Sequence, residues 1–201
     1  LLLIVAHPGV PVKNIRELIA YSKSNPGRLN YGSSSNAVTL PMELFKSMTG
    51  ADIEHIPYKG TAPMLNDLLG GHLQLSLAGL AGSLQHIKAG RLRALGTGDL
   101  KRTPQLPDVP TIAEQGVPGF RGIIWTAAIF APRGTPKPVI ARLHHDILLA
   151  LQHPRFNERM SAAGFDVVTE NNQPEDLAKL VHDDIERWRK VAKASGIKPE
   201  N

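Results

Sequence analysis

The sequence predicts an α/β fold built on a mostly parallel sheet flanked by helices. Three observations carry that reading. Short apolar runs alternate with helical-period segments through residues 1–119. Ser, Thr, Asn and Gly gather where each run gives way to a helix. Residues 132–201 then read as mostly helical. Strand–helix alternation builds βαβ units, whose crossovers place helices on both faces of a parallel sheet. The change of character near Phe120 sets the expected domain boundary, with 1–120 a unit of βαβ repeats and 121–201 a mainly helical unit.

The elements follow in order. Residues 1–6 form an apolar run that reads as a buried strand; no charged flank precedes it and no small-residue cleavage site follows, so it does not read as a signal peptide. Val12, Ile15, Leu18 and Ile19 recur at helical spacing until Asn25-Pro26-Gly27 stops them. Residues 29–31 are a short strand, 33–36 a polar turn and 39–48 a helix with Leu40, Leu44, Phe45 and Met48 on one face. A strand at 53–58 leads through Lys59-Gly60 into a helix expected to be capped by Thr61. The next strand is 73–78, followed by a turn at 79–82 and a helix capped by Ser83, then a strand at 92–97. Thr111-Ile112-Ala113-Glu114 has capping-box spacing, in which hydroxyl and carboxylate satisfy each other's amides, and predicts a helix start. Residues 120–130 read as a strand, 165–168 as another, and 138–151, 154–163 and 174–194 as helices.

Composition narrows the function. Of 201 residues, 42% are hydrophobic and 20% charged, enough apolar material for a core and too little charge for an open coil. No apolar run approaches the ~20 residues that span a bilayer. The chain has no cysteine, which excludes disulfides, thiolate metal sites and cysteine nucleophiles. The 23 basic residues against 18 acidic ones leave a net charge of +5, but the basic residues are scattered and aromatics are few, so nucleic acid is not an expected partner. Eight histidines are present, none paired at the i, i+4 spacing that aims two ligands at one ion; no metal and no cofactor is expected.

Parallel α/β sheets bind ligands at the carboxyl ends of their strands. The loops there hold Gly32-Ser33-Ser34-Ser35-Asn36, Tyr58-Lys59-Gly60-Thr61 and Ala78-Gly79. Hydroxyls, helix-start amides and the Lys59 charge make a donor-rich rim with few carboxylates, suited to a carboxylate or phosphate. Catalytic motifs are missing: 32–36 lacks the second glycine of a nucleophile elbow, and no phosphate-binding loop or dinucleotide fingerprint occurs. An alternative reading, a small hydrolase using a serine among Ser33, Ser34 and Ser35, needs a histidine base that the sequence does not place.

An ordered set of motifs spans nearly the whole chain. It includes Leu29-Asn30-Tyr31-Gly32-Ser33-Ser34, Glu43-Leu44-Phe45-Lys46, Ile56-Pro57-Tyr58-Lys59-Gly60, Asp67-Leu68-Leu69-Gly70-Gly71, Ile87-Lys88-Ala89-Gly90, Leu106-Pro107-Asp108-Val109-Pro110-Thr111 and Gly134-Thr135-Pro136. Together they resemble the Bug, or TctC-like, family of extracytoplasmic solute-binding proteins of tripartite tricarboxylate transporters. The resemblance implies a type II periplasmic-binding-protein fold of two lobes joined by a hinge, closing on a small carboxylate and recognised by membrane transporter subunits. It also implies a periplasmic location, a longer protein with a signal peptide, and a first-lobe segment ahead of this chain. Residues 1–120 would then be the second lobe and 121–201 the returning part of the first.

The resemblance assigns ligand contact to Ser33, Ser34, Ser35, Asn36 and Thr39, and pocket-edge positions to Tyr58, Lys59, Gly60 and the turn of Ala78, Gly79 and Leu80; Thr61, from the second loop, is a further expected ligand contact. Two departures stand out. Many members place a His soon after the first turn, where Val38-Thr39-Leu40-Pro41 holds none, and many carry Asp-Asn where this chain has Ala78-Gly79.

Overall fold

A computed structural model describes residues 1–122, 128–162, 167 and 172–197. The chain divides into two compact units, Leu1–Ile124 with Val191–Asn201, and Trp125–Lys190.

The first unit is a five-stranded sheet in the order β3-β2-β4-β1-β5. Its strands are β1 (Leu2–Ala6), β2 (Asn30–Ser33), β3 (Glu54–Pro57), β4 (Leu75–Gly79) and β5 (Arg93–Thr97). Helices α1 (Ile15–Ser24), α2 (Asn36–Thr49), α3 (Thr61–Leu69) and α4 (Leu80–Lys88) connect them. The α/β class is the one the sequence predicts. Strand direction departs from it at β1, which runs antiparallel to both β4 and β5, while β2 pairs parallel with β3 and β4. A strand buried on both faces is a continuous apolar run whichever way it points, so its direction leaves no mark on the sequence.

Because β1 is interior, its side chains feed two cores. Leu2, Ile4 and Ala6 join Ile15, Leu18, Tyr31, Met42 and Phe45 on one face. Leu3 and Val5 join Met64, Leu68, Leu80 and Leu92 on the other. Each fully buried large side chain contributes about 1.5–3 kcal/mol. Phe120 closes the first core against Phe45, edge to face with ring centres 6.1 Å apart. The second core presses on Gly32, where an added Cβ would stand 2.5 Å from Leu73 Cδ2 and 2.8 Å from Met64 Cγ. Glycine is therefore demanded by packing just where β2 reaches its carboxyl end.

Several local expectations shift. Helix α2 starts at Asn36, three residues before the apolar periodicity begins, with Ser35 as its N-cap residue and Gly50 ending it in the left-handed region at φ 65°. Helix α4 follows β4 without the expected turn, so Ser83 lies inside it and donates back to the Gly79 carbonyl at 2.8 Å. At 111–114 both capping-box bonds form, Thr111 N–H to Glu114 at 2.7 Å and Glu114 N–H to Thr111 Oγ1 at 3.1 Å. They close successive turns rather than a helix, and Val117-Pro118-Gly119 stops further winding.

The second unit carries α5 (Lys137–Leu151), α6 (Pro154–Ala162) and most of α7 (Pro174–Ser195). Intrahelical ion pairs line the polar faces, Arg142 with Asp146 at 2.8 Å and Lys179 with Asp183 at 2.5 Å. No residue of α5 or α7 is buried, and Leu143, Leu149 and Ile185 stand about half exposed. Along α7, Val181 and Ile185 are open to solvent. Residues 120–122 and 128–130 are not strand, and the middle of the strand expected at 120–130 lies outside the described residues. So does most of the strand expected at 165–168. No helix among the described residues is long and apolar enough to cross a membrane.

Candidate functional site

Strands β2, β3 and β4 are mutually parallel through β2, and each leads within a few residues into a helix. Three helix N-termini therefore open at one edge of the sheet, which gathers the three loops singled out from the sequence. None of the three helices has a side-chain cap: the N-cap residues are Ser35, Gly60 and Gly79.

The turn after β2 is the most polar of the three. Ser33 is 3% exposed, and its hydroxyl lies 2.7 Å from Thr39 Oγ1 and 2.6 Å from His55 Nε2. Thr39 Oγ1 donates to the Ser35 carbonyl at 3.1 Å. Each hydroxyl owns a single proton. With the Thr39 proton on Ser35, Ser33 donates to Thr39 and accepts from a protonated Nε2 of His55; with the Thr39 proton on Ser33, the run reverses and Nε2 accepts.

That contact bears on the hydrolase alternative. The structure does supply a histidine beside a serine, at a position the sequence alone did not indicate. A nucleophile must also reach its substrate, and Ser33 is 3% exposed. Ser33 is a buried link in a hydrogen-bond chain, not an exposed nucleophile.

His55 sits on β3 with its ring stacked on Tyr31, centroids 4.9 Å apart. Burial holds its pKa below the ordinary 6.5; Glu43 opposes that shift and Lys46 adds to it. Tyr31 donates to Glu43 at 2.8 Å, and Lys46 shares the same carboxylate oxygen at 2.8 Å. Burial, reinforced by Glu43, keeps the Tyr31 phenol protonated far above its usual range.

Ser34, Ser35 and Asn36 are partly exposed above this buried layer. Ser34 Oγ lies 3.2 Å from Thr61 Oγ1, tying the first loop to the second. Asn36 N–H and Ala37 N–H, the first amides of α2, and the Ser35 hydroxyl have no hydrogen-bond partner among the described residues. Lys59 is exposed and makes no ion pair among them. Tyr58 is spent on structure: its amide donates to the Ser33 carbonyl at 2.8 Å and its phenol to Asp67 at 2.8 Å. Its pKa is raised by burial and then by that carboxylate. Ala78 and Gly79 complete the rim, and a Cβ at Gly79 would meet nothing within 4 Å. The α4 amide at Leu80 is taken by the Leu1 carbonyl at 3.0 Å. Among the described residues no cluster of three His, Asp or Glu could hold a metal ion.

The site thus offers free amides, hydroxyls and one cation in an open rim over a buried relay. Ser34, Ser35, Asn36, Lys59 and Thr61 face that rim, while Ser33, Thr39 and the Tyr58 phenol lie beneath it. Sequence reasoning missed His55. The available signal was a polar residue at the core-facing position of a strand, level with Tyr31 in the β2–β3 register.

A sheet of this kind, with uncapped helix starts at one edge, has the fold of periplasmic solute-binding proteins. The comparisons name the family. The model of the tripartite tricarboxylate transporter family receptor, TctC, matches residues 1–197, and the chain belongs to that family. The family is one of binding receptors, not enzymes. Protein BugT of Bordetella pertussis is 36% identical over 202 residues, which cover 98% of this chain and 60% of BugT. The R. palustris protein Rpa4515, solved with adipate, is 37% identical with a TM-score of 0.80, covering 99% of this chain and 66% of that one. The periplasmic binding protein BugD is 33% identical with a TM-score of 0.76, covering 99% and 67%. The chain thus spans between three fifths and two thirds of these relatives' lengths.

Proposed function

We propose that this chain is the ligand-gripping part of an extracytoplasmic, periplasmic receptor that captures a small carboxylate and hands it to membrane subunits of a tripartite tricarboxylate-type transporter. What supports this reading is the donor-rich edge: the amides of Asn36 and Ala37 and the Ser35 hydroxyl have no partner among the described residues, Ser34 lies beside them, and the neighbouring loop carries the exposed Lys59 with no ion pair among those residues. Partial positive charge at helix starts and charge-assisted hydrogen bonds both favour an anion. Adipate in the similar Rpa4515 structure supports a dicarboxylate.

On this reading residues 1–120 form one lobe and 121–201 belong with a second. Leu143 and Leu149 on α5 and Val181 and Ile185 on α7 are exposed apolar side chains of the kind a fuller lobe would cover. The ligand is trapped by hinge closure, and the closed form is what the transporter recognises.

The test is a thermal-shift panel of adipate, shorter and hydroxylated dicarboxylates, tricarboxylates and acidic amino acids. A concentration-dependent rise in Tm with the dicarboxylates supports the reading, because a ligand that binds only the native state stabilises it by mass action. A flat response to every carboxylate sinks it.

A further inference from the structure

The buried chain beneath the turn does more than fill space. The Ser35 carbonyl accepts from Thr39 Oγ1 at 3.1 Å, from Val38 N–H at 3.0 Å and from Thr39 N–H at 3.1 Å. A trans peptide is planar, and its N–H points opposite to its C=O. Holding the Ser35 carbonyl into the helix therefore holds the Asn36 N–H outward, toward the open rim. The far end of that restraint is His55, whose Nε2 stands 2.6 Å from Ser33 Oγ, itself 2.7 Å from Thr39 Oγ1; with the Thr39 proton on Ser35, His55 donates to Ser33 and Ser33 to Thr39.

We propose that His55 is a positioning residue for anion capture, fixing the Asn36 amide through Ser33 and Thr39 and tightening the hold on a carboxylate when its imidazole becomes charged. This rests on the carboxylate reading of the same edge. Both the neutral Nε2–H tautomer and the imidazolium donate from Nε2, so the restraint survives protonation and only the charge changes.

The groups facing the ring are few. Tyr31 and Ser33 come from β2, and Thr39, Glu43 and Lys46 from α2. Glu43 is already shared by Tyr31 and Lys46, and Glu43 and Lys46 act on the ring in opposite senses. On its own strand Glu54 alternates to the other side and is exposed, and β3 is an edge strand with no further neighbour. An incoming anion shifts that balance toward the charged form. By linkage, a ligand that raises the histidine pKa binds more tightly as pH falls through it.

The experiment is adipate titration calorimetry between about pH 5.5 and 8 on the wild type, His55→Gln and His55→Leu, with circular dichroism to confirm folding. Gln keeps an N–H donor and cannot titrate, and it sees the same ligand ionisation, so the wild-type-to-Gln difference isolates the imidazole. The expected result is Gln within about threefold of wild type at the alkaline end. The wild type then gains about 3–10-fold over Gln at the acid end. Leu loses about tenfold throughout. Superimposed wild-type and Gln profiles, or Leu binding as wild type does, would overturn the proposal while leaving carboxylate capture intact. Nitrogen-15 imidazole spectra add a readout that needs no ligand: an Nε2–H tautomer upholds the chain and Nδ1–H overturns it. If wild type binds no adipate or other carboxylate, the function reading fails, and the spectra alone judge the relay.

Discussion

The N-termini of α1 and α2 are built from similar residues and do opposite things with them. At α1, Asn14 accepts from Glu17 N–H at 2.9 Å, while Glu17 reaches back to Lys13 N–H at 2.7 Å and Asn14 Nδ2 at 2.8 Å. The next amide, Ile15, is closed by Gln115 Oε1 at 2.8 Å across the fold. At α2 the N-cap Ser35 makes no cap bond, its neighbours Ser33 and Thr39 bond to each other, and Ser33 bonds to His55. The first helix start is sealed and the second is held open by polar groups turned inward. Side-chain caps are worth about 1 kcal/mol each, so a helix start left without one is a place where stability is forgone and donors remain for a ligand.

The largest test of this contrast is Gln115→Leu. The Gln115 carboxamide is buried, takes the Ile15 amide and donates to the Leu95 carbonyl at 2.9 Å. Replacement strands both groups in the core, and denaturant unfolding should show a loss of about 2–4 kcal/mol. A loss under 1 kcal/mol would mean that α1 is not sealed in this way.

The paired test is Asn14→Ala against Ser35→Ala. Asn14→Ala should cost about 1 kcal/mol of stability and leave adipate affinity alone. Ser35→Ala should leave stability within about 0.5 kcal/mol, since no cap bond is lost, and weaken adipate by about three- to tenfold. If the two variants behave alike in both assays, the distinction between sealed and open starts collapses. Thr97→Val probes the same edge from β5. The Thr97 hydroxyl is buried and has no partner among the described residues, so removing it should leave stability unchanged or raise it by up to about 1 kcal/mol in thermal unfolding.

The 111–114 box was legible and forms both its bonds, because such contacts span three residues. The Asn14-x-x-Glu17 cap has the same three-residue spacing but was not singled out from the sequence. The alternation of strands and helices was equally readable, since each element's periodicity is local. The antiparallel direction of β1 was not, because an apolar run buried on both faces looks the same in either sense. His55 escaped for a different reason. Its partner Ser33 lies 22 residues away, and only the β2–β3 register brings them together. The serine run was visible as a donor cluster, but its division into a buried layer and an exposed rim depended on that contact.

The smallest expected effect separates the two helix starts by pH. Burial keeps the folded His55 pKa below 6.5, so between that lower value and 6.5 the unfolded chain binds more protons than the folded one. Stability therefore rises with pH across this window, is fully present above 6.5, and is lost progressively as pH falls through it. The ring is only partly buried, so the loss is modest. The His55→Gln variant should show a flatter Tm against pH over the same interval, whereas Asn14→Ala should run parallel to wild type, displaced downward. Carboxylate affinity is expected to move the other way, tightening as the imidazole charges. A ligand that raises the His55 pKa should therefore make the stability slope measured with adipate shallower than the slope without it, and the slope reverses only where the bound anion lifts that pKa above 6.5.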